Sequence, residues 1–82
     1  MGTAARVSAA FADVLRRHRH ERGLSQEALA ERAGLHAVYV SLIERKQRKP
    51  TLYVAALLAE ALGEPLSKLV SEAELATRSG RT

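Results

Sequence analysis

Apolar residues recur every three or four positions along most of the chain, the spacing that gathers them on one side of an α-helix. Val7, Phe11, Val14 and Leu15 form the first such stripe and predict a helix over residues 6–22. Gly23 follows it, where a left-handed cap costs least. Ser25 is placed to N-cap a second helix from Gln26, its hydroxyl accepting from a free backbone N–H in the first turn. Leu29 and Ala30 face inward on that helix. Ala33-Gly34 ends it, because a short turn between two helices commonly needs a residue with φ above zero. A third helix starts near His36 or Ala37 and runs to about Glu44, with Val40 and Ile43 inward and Leu35 anchoring the turn. After Pro50, Thr51 caps a fourth helix over residues 52–62. Its stripe is Leu52, Ala55, Leu58, Ala59 and Leu62, with Leu57 and Ala61 beside it, and Gly63 then Pro65 stop it. A fifth helix holds Leu66, Leu69 and Val70 and can extend to Leu75. There is no strand signal, repeat or low-complexity segment. The pattern predicts an all-α chain of five helices. One domain over residues 6–76 is expected between a flexible leader at 1–5 and a flexible tail at 77–82.

Composition fits that picture. The chain has 82 residues, 46% hydrophobic, with one Phe, two Tyr and no Trp, so its core must be built of Leu, Val, Ile and Ala. At this size roughly 60% of the unfolded surface is buried, which gives modest stability. Without cysteine there is neither a disulfide framework nor a thiolate metal site. No apolar run approaches the ~18 residues of a membrane span, and no signal-peptide pattern is present. The expected localisation is cytoplasmic.

The net charge of +4 is unevenly placed. Arg16, Arg17, Arg19 and Arg22 stand against Glu21, and Arg45, Lys46, Arg48 and Lys49 stand against Glu44. Each block carries +3, leaving −2 for the rest. Two basic blocks on an otherwise slightly acidic chain point to a local anionic partner. The plainer reading is two solvated helix ends, and arginines near the end of the first helix also suit the negative end of its dipole. A helix pair joined at a glycine and followed at once by a basic loop is the sequence form of a DNA-binding helix-turn-helix.

Gly23-Leu24-Ser25-Gln26-Glu27, Leu29-Ala30, Ala33-Gly34-Leu35, Tyr39-Val40-Ser41, Ile43-Glu44-Arg45 and Pro50-Thr51-Leu52 carry a resemblance over about residues 11–69. The chain resembles the XRE-type helix-turn-helix proteins: phage repressor and Cro proteins and the controller proteins of restriction–modification systems. The resemblance implies a five-helix repressor-like domain with the motif as helices 2 and 3. It further implies an ion pair between Arg19 and Glu44. If buried, loss of one partner of that pair would cost roughly 3–5 kcal/mol; two separate surface charges would be worth at most about 1 kcal/mol.

A recognition helix of this kind lies in the major groove while the preceding helix points its N-terminus at the backbone. Gln26 and the free N–H groups beside it are then expected to donate to a phosphate. The resemblance places base readout at Ala37, Val38, Ser41 and Leu42. Ala37 and Val38 lack bidentate groups and can only touch a thymine methyl, and Ser41 specifies little. Direct readout is therefore expected to be thin, to come from His36 and Arg45, or to depend on DNA shape. Tyr39 stands where the family has an aromatic beside the sugar-phosphate chain, with half-buried packing as the other reading. Arg45, Lys46, Arg48 and Lys49 are expected to grip the backbone. Lys46 occupies a place often held by glycine in the family, so it must accept the backbone angle required there.

Proteins of this kind gain affinity by pairing on two half-sites about 34 Å apart. Leu66 and Leu69 suit the monomer core, which leaves Tyr53, Val70 and Leu75 as candidates for a homodimer interface. Catalysis has little support. His18, His20 and His36 are the only histidines, His18 and His20 lie on different helix faces, and no metal spacing, nucleophile elbow or phosphate loop is present. No enzyme activity, metal, cofactor, small-molecule ligand or membrane is expected. The expected function is sequence-specific regulation of transcription through double-stranded DNA, by a homodimer set by its own concentration. The alternative is an antitoxin-like interaction module that binds DNA secondarily, suggested by the apolar face of Ala37, Val38 and Leu42.

Overall fold

The computed structural model describes residues 2–78. Five helices follow one another: α1 Thr3–Glu21, α2 Gln26–Ala33, α3 Ala37–Glu44, α4 Leu52–Leu62 and α5 Leu66–Arg78. No strand occurs among the described residues.

Local chemistry sets most of the helix ends. Ser25 Oγ accepts from Ala28 N at 3.0 Å and Thr51 Oγ1 from Val54 N at 3.1 Å, so both capping residues satisfy a free first-turn donor. Gly34 closes α2 in the left-handed region at φ 72°, and Leu35 N then reaches Ala30 O at 2.8 Å. That closure turns the chain back within three residues and seats Leu35 against the core.

Two boundaries and one burial assignment differ from the sequence pattern. α1 begins at Thr3, so Thr3, Ala4 and Ala5 are helical where a flexible leader was expected. Alanine is the best helix former, and Arg6 N to Gly2 O at 3.1 Å closes the first turn without a side-chain cap. α5 continues past Leu75 to Arg78, with Thr77 Oγ1 donating to Glu74 O at 2.7 Å. Residues 79–82 of the expected tail lie outside the described residues. The third difference is Leu52, assigned to the inner stripe of α4 but 78% exposed. As the first residue of α4 it precedes the turn at which that stripe meets the core, where Ala55 and Leu58 are buried.

Leu15, Leu29, Val40, Ile43, Leu58 and Leu69 are fully enclosed and join all five helices in one core. α1 lies along α5, and α2 packs between α3 and α4. A polar cluster reinforces the α1–α5 seam. His18 is 4% exposed, with Nε2 2.9 Å from Glu72 Oε1 and Nδ1 3.0 Å from Arg22 Nη1. Arg17 also reaches Glu72. Arg22 donates to Leu62 O at 2.8 Å and Glu64 Oε2 at 2.6 Å, tying the end of α1 to the α4–α5 corner. Burial pushes the Glu72 carboxyl up, but the hydrogen bond and charge of His18, with Arg17 and Lys68, hold it below the ordinary range. Arg17 and Arg22 are therefore used inside the fold, so the first basic block is largely structural and not a free cationic face.

Candidate nucleic-acid interface

α3 is a short helix with two unlike sides. Val40 and Ile43 are buried at 0% and 1% exposure, fixing which side faces out. On the outer side His36, the N-cap, is exposed and Val38 is 68% exposed. Ser41 and Leu42 are half-buried beside them. Ala37 and Tyr39 are also half-buried and pack against the core. Arg45 caps the helix and folds back along it, Nε donating to Ser41 Oγ at 3.2 Å.

The base of α3 is braced by a buried ion pair. Arg19 Nε and Nη2 donate to Glu44 Oε2 and Oε1 at 2.7 and 2.9 Å, a two-pronged contact between α1 and α3. Arg19 Nη1 also donates to Leu24 O at 2.8 Å. Gln26, at the start of α2, donates from Nε2 to Glu44 Oε1 at 3.1 Å. Three helices thus meet at one carboxylate. Desolvation raises the Glu44 pKa, but hydrogen bonds from Arg19 and Gln26 and the charges of Arg19 and Arg16 outweigh it and leave the group below its ordinary value. The Arg19 pKa is raised, chiefly by its hydrogen bond to Glu44, against the cost of burial. Gln26 was expected to face a phosphate. One of its two amide hydrogens is committed to Glu44, so only the other is free for that contact.

Beyond α3 the chain makes a tight basic loop. Gln47 N and Arg48 N both reach back to Leu42 O, at 2.9 and 3.2 Å. This closure requires Lys46 in the left-handed region at φ 65°, the one non-glycine there among the described residues. Its ammonium lies 3.1 Å from Asp13 Oδ1 on α1. Arg48 and Lys49 are exposed, and neither has a side-chain partner among the described residues. Among the described residues, α3 and its loop therefore present Arg45, Arg48 and Lys49 without carboxylate partners around a largely uncharged helix face.

Of the residues expected at a dimer interface, Tyr53 is 71% and Leu75 56% exposed, while Val70 is half-buried. Val70 lines an apolar groove of about 310 Å³ with Val7, Phe11, Leu52, Ala55 and Leu66, whereas Tyr53 and Leu75 stand outside it. Exposed Leu52, which the sequence pattern placed in the core, belongs to this surface instead.

Residues 15–69 match the helix-turn-helix domain family, a span from the middle of α1 into α5 that includes α2, α3 and the basic loop. The chain belongs to the helix-turn-helix family. It is a DNA-binding transcriptional regulator, and its relatives are regulators rather than enzymes. It is 40% identical over 70 residues to the control protein C.SmaI of Serratia marcescens, covering 85% of this chain and 83% of that protein. The crystal structure of the restriction–modification controller C.AhdI from Aeromonas hydrophila superposes with a TM-score of 0.72 at 41% identity, covering 74% of this chain and 92% of that one. The clp gene regulator ClgR from Corynebacterium glutamicum gives a TM-score of 0.80 at 25% identity, over 90% of this chain and 81% of that one. No helix among the described residues is long and apolar enough to cross a membrane. No group of three or more His, Asp or Glu among them is arranged to hold a metal ion.

Proposed function

We propose that this regulator acts as a homodimer that sets α3 into the major groove of duplex DNA at two half-sites. One observation carries the reading. The accessible side of α3 ends in a tight loop whose Arg48 and Lys49 have no side-chain partner among the described residues, beside Arg45. A groove about 12 Å wide admits one helix, and phosphates flank it on both sides. Val38 and the half-buried Ala37 offer methyl contacts to thymine, and Leu42 adds apolar surface. Ser41, His36 and Arg45 supply the polar contacts. Direct readout on such a face is sparse, so DNA shape carries part of the specificity. Tyr39 and the second amide hydrogen of Gln26 reach the backbone, together with Lys46, Arg48 and Lys49. Tyr53, Val70 and Leu75 are the proposed dimer contacts.

The similarity to C.SmaI and C.AhdI favours a controller role, in which the protein binds DNA beside its own gene and responds to its own concentration. Fluorescence anisotropy on the duplex upstream of that gene tests this. Contact with six to ten phosphates predicts an affinity loss on the order of 10³–10⁵-fold between 50 and 200 mM salt. A flat salt response would instead support a protein-interaction module. That second reading draws on the exposed apolar residues Val38, Leu52, Tyr53 and Leu75.

A further inference from the structure

Four arginines fall between residues 16 and 22, and three are used within the fold. Arg17 meets Glu72, Arg19 meets Glu44, and Arg22 meets Glu64. Arg16 differs. It is exposed, and it makes no side-chain hydrogen bond or ion pair among the described residues. Its position follows from helix geometry. Asp13, Arg16 and Arg19 are spaced by three along α1 and share one stripe. Both ends of the stripe are pinned to the end of α3: Asp13 to Lys46 at 3.1 Å, and Arg19 to Glu44 at 2.7 Å. Arg16, one turn from each, must flank the last turn of α3, where Arg45 projects.

The local charge balance strengthens the point. Lys46 cancels Asp13, and Arg19 cancels Glu44, leaving Arg16 and Arg45 as cations with no ion-paired carboxylate among the described residues. Glu44 does not need Arg16, since its two oxygens already accept three hydrogen bonds. The charge of Arg16 is nonetheless close enough to help hold the Glu44 carboxyl ionised.

We propose that Arg16 is an additional phosphate contact, carrying the DNA-binding surface from the α3 loop onto α1. The proposal rests on the DNA-binding reading above and names a contact outside the helix-turn-helix motif. The test is anisotropy at several salt concentrations between 50 and 200 mM, on the upstream duplex and on an unrelated duplex, with thermal melts of each variant. Arg16→Ala is expected to melt like the unmodified protein and to weaken both duplexes by a similar factor. It should lower the slope of log affinity against log salt by about one unit, making the loss across that range roughly three- to fourfold smaller. Arg16→Lys, which keeps the charge, restores the slope. Arg17→Ala, from the same block, lowers the melting temperature and leaves the slope alone. An Arg16→Ala slope equal to that of the unmodified protein, where the latter is steep, overturns this proposal by itself. A flat response from the unmodified protein overturns the DNA-binding reading and this contact with it.

Discussion

Replacing Glu44 with Gln tests the brace beneath the recognition helix. Glu44 is 6% exposed and its partner Arg19 8% exposed, so little water can substitute for either. Glutamine keeps the size but removes the charge and one of the two accepting oxygens. Arg19 is then left buried with Leu24 O and His20 Nε2 but no counterion. Removing one partner of a buried pair costs about 3–5 kcal/mol. Arg19 retains those other acceptors, which puts the expected loss near the lower end, about 3 kcal/mol. For a domain of this size that lowers the melting temperature by roughly 12–24 °C. Circular dichroism melts at neutral pH read it directly. A pH series adds a second signature. The folded-state pKa of Glu44 lies below its unfolded value, so the unfolded chain takes up the proton first as pH falls. The pair's contribution is therefore fully present above about pH 4.3 and is lost as pH drops through the lower folded value. The variant lacks this component, so the gap between the two proteins narrows in acid. A loss under about 1 kcal/mol at neutral pH, with no such narrowing, would mean that the pair behaves as an exposed one and the brace is misread.

Three further outcomes are expected. Lys46→Gly removes left-handed strain of about 1–2 kcal/mol and an exposed ion pair worth at most about 1 kcal/mol, so it should melt no lower than the unmodified protein; a lower melting point contradicts the strain at φ 65°. Arg48→Ala should weaken binding to all duplexes alike, whereas Val38→Ala should change preference at one base pair; an Arg48→Ala variant with unaltered DNA affinity means the loop is misassigned. Tyr53→Ser combined with Leu75→Ser should leave the melting curve of the monomer nearly intact, because both side chains are largely exposed, while shifting sedimentation toward monomer. A pair of substitutions that leaves the sedimentation coefficient unchanged removes those residues from the interface.

Much of this architecture was readable because its determinants are local. The caps at Ser25 and Thr51, the glycine stops at Gly34 and Gly63, and the α3 span each depend on residues within one turn. What escaped depended on distance. Arg17 and Arg22 look like a cationic patch until their carboxylates arrive from 55 and 42 residues away. His18 carried a usable signal, since it continues the spacing of Val14 and Leu15, but a histidine does not advertise burial. Leu52 matched the period of α4 and yet faces solvent, because periodicity cannot say where along a helix the core begins. The early start of α1 was visible only in the helix propensity of Ala4 and Ala5, which is a weak signal beside an apolar stripe. At the interface the identity of the outward residues was legible, while the coupling of Gln26 to Glu44 and of Arg45 to Ser41 was not, since both depend on side-chain direction.

Selection of bound duplexes from a random DNA pool bears most directly on the placement of α3. The account predicts an enriched inverted repeat with half-site centres about one helical turn, roughly 34 Å, apart, containing T-rich positions that relax in the Val38→Ala protein. A pool that yields no shared motif, or one that Val38→Ala and Arg45→Ala both leave untouched, would contradict it.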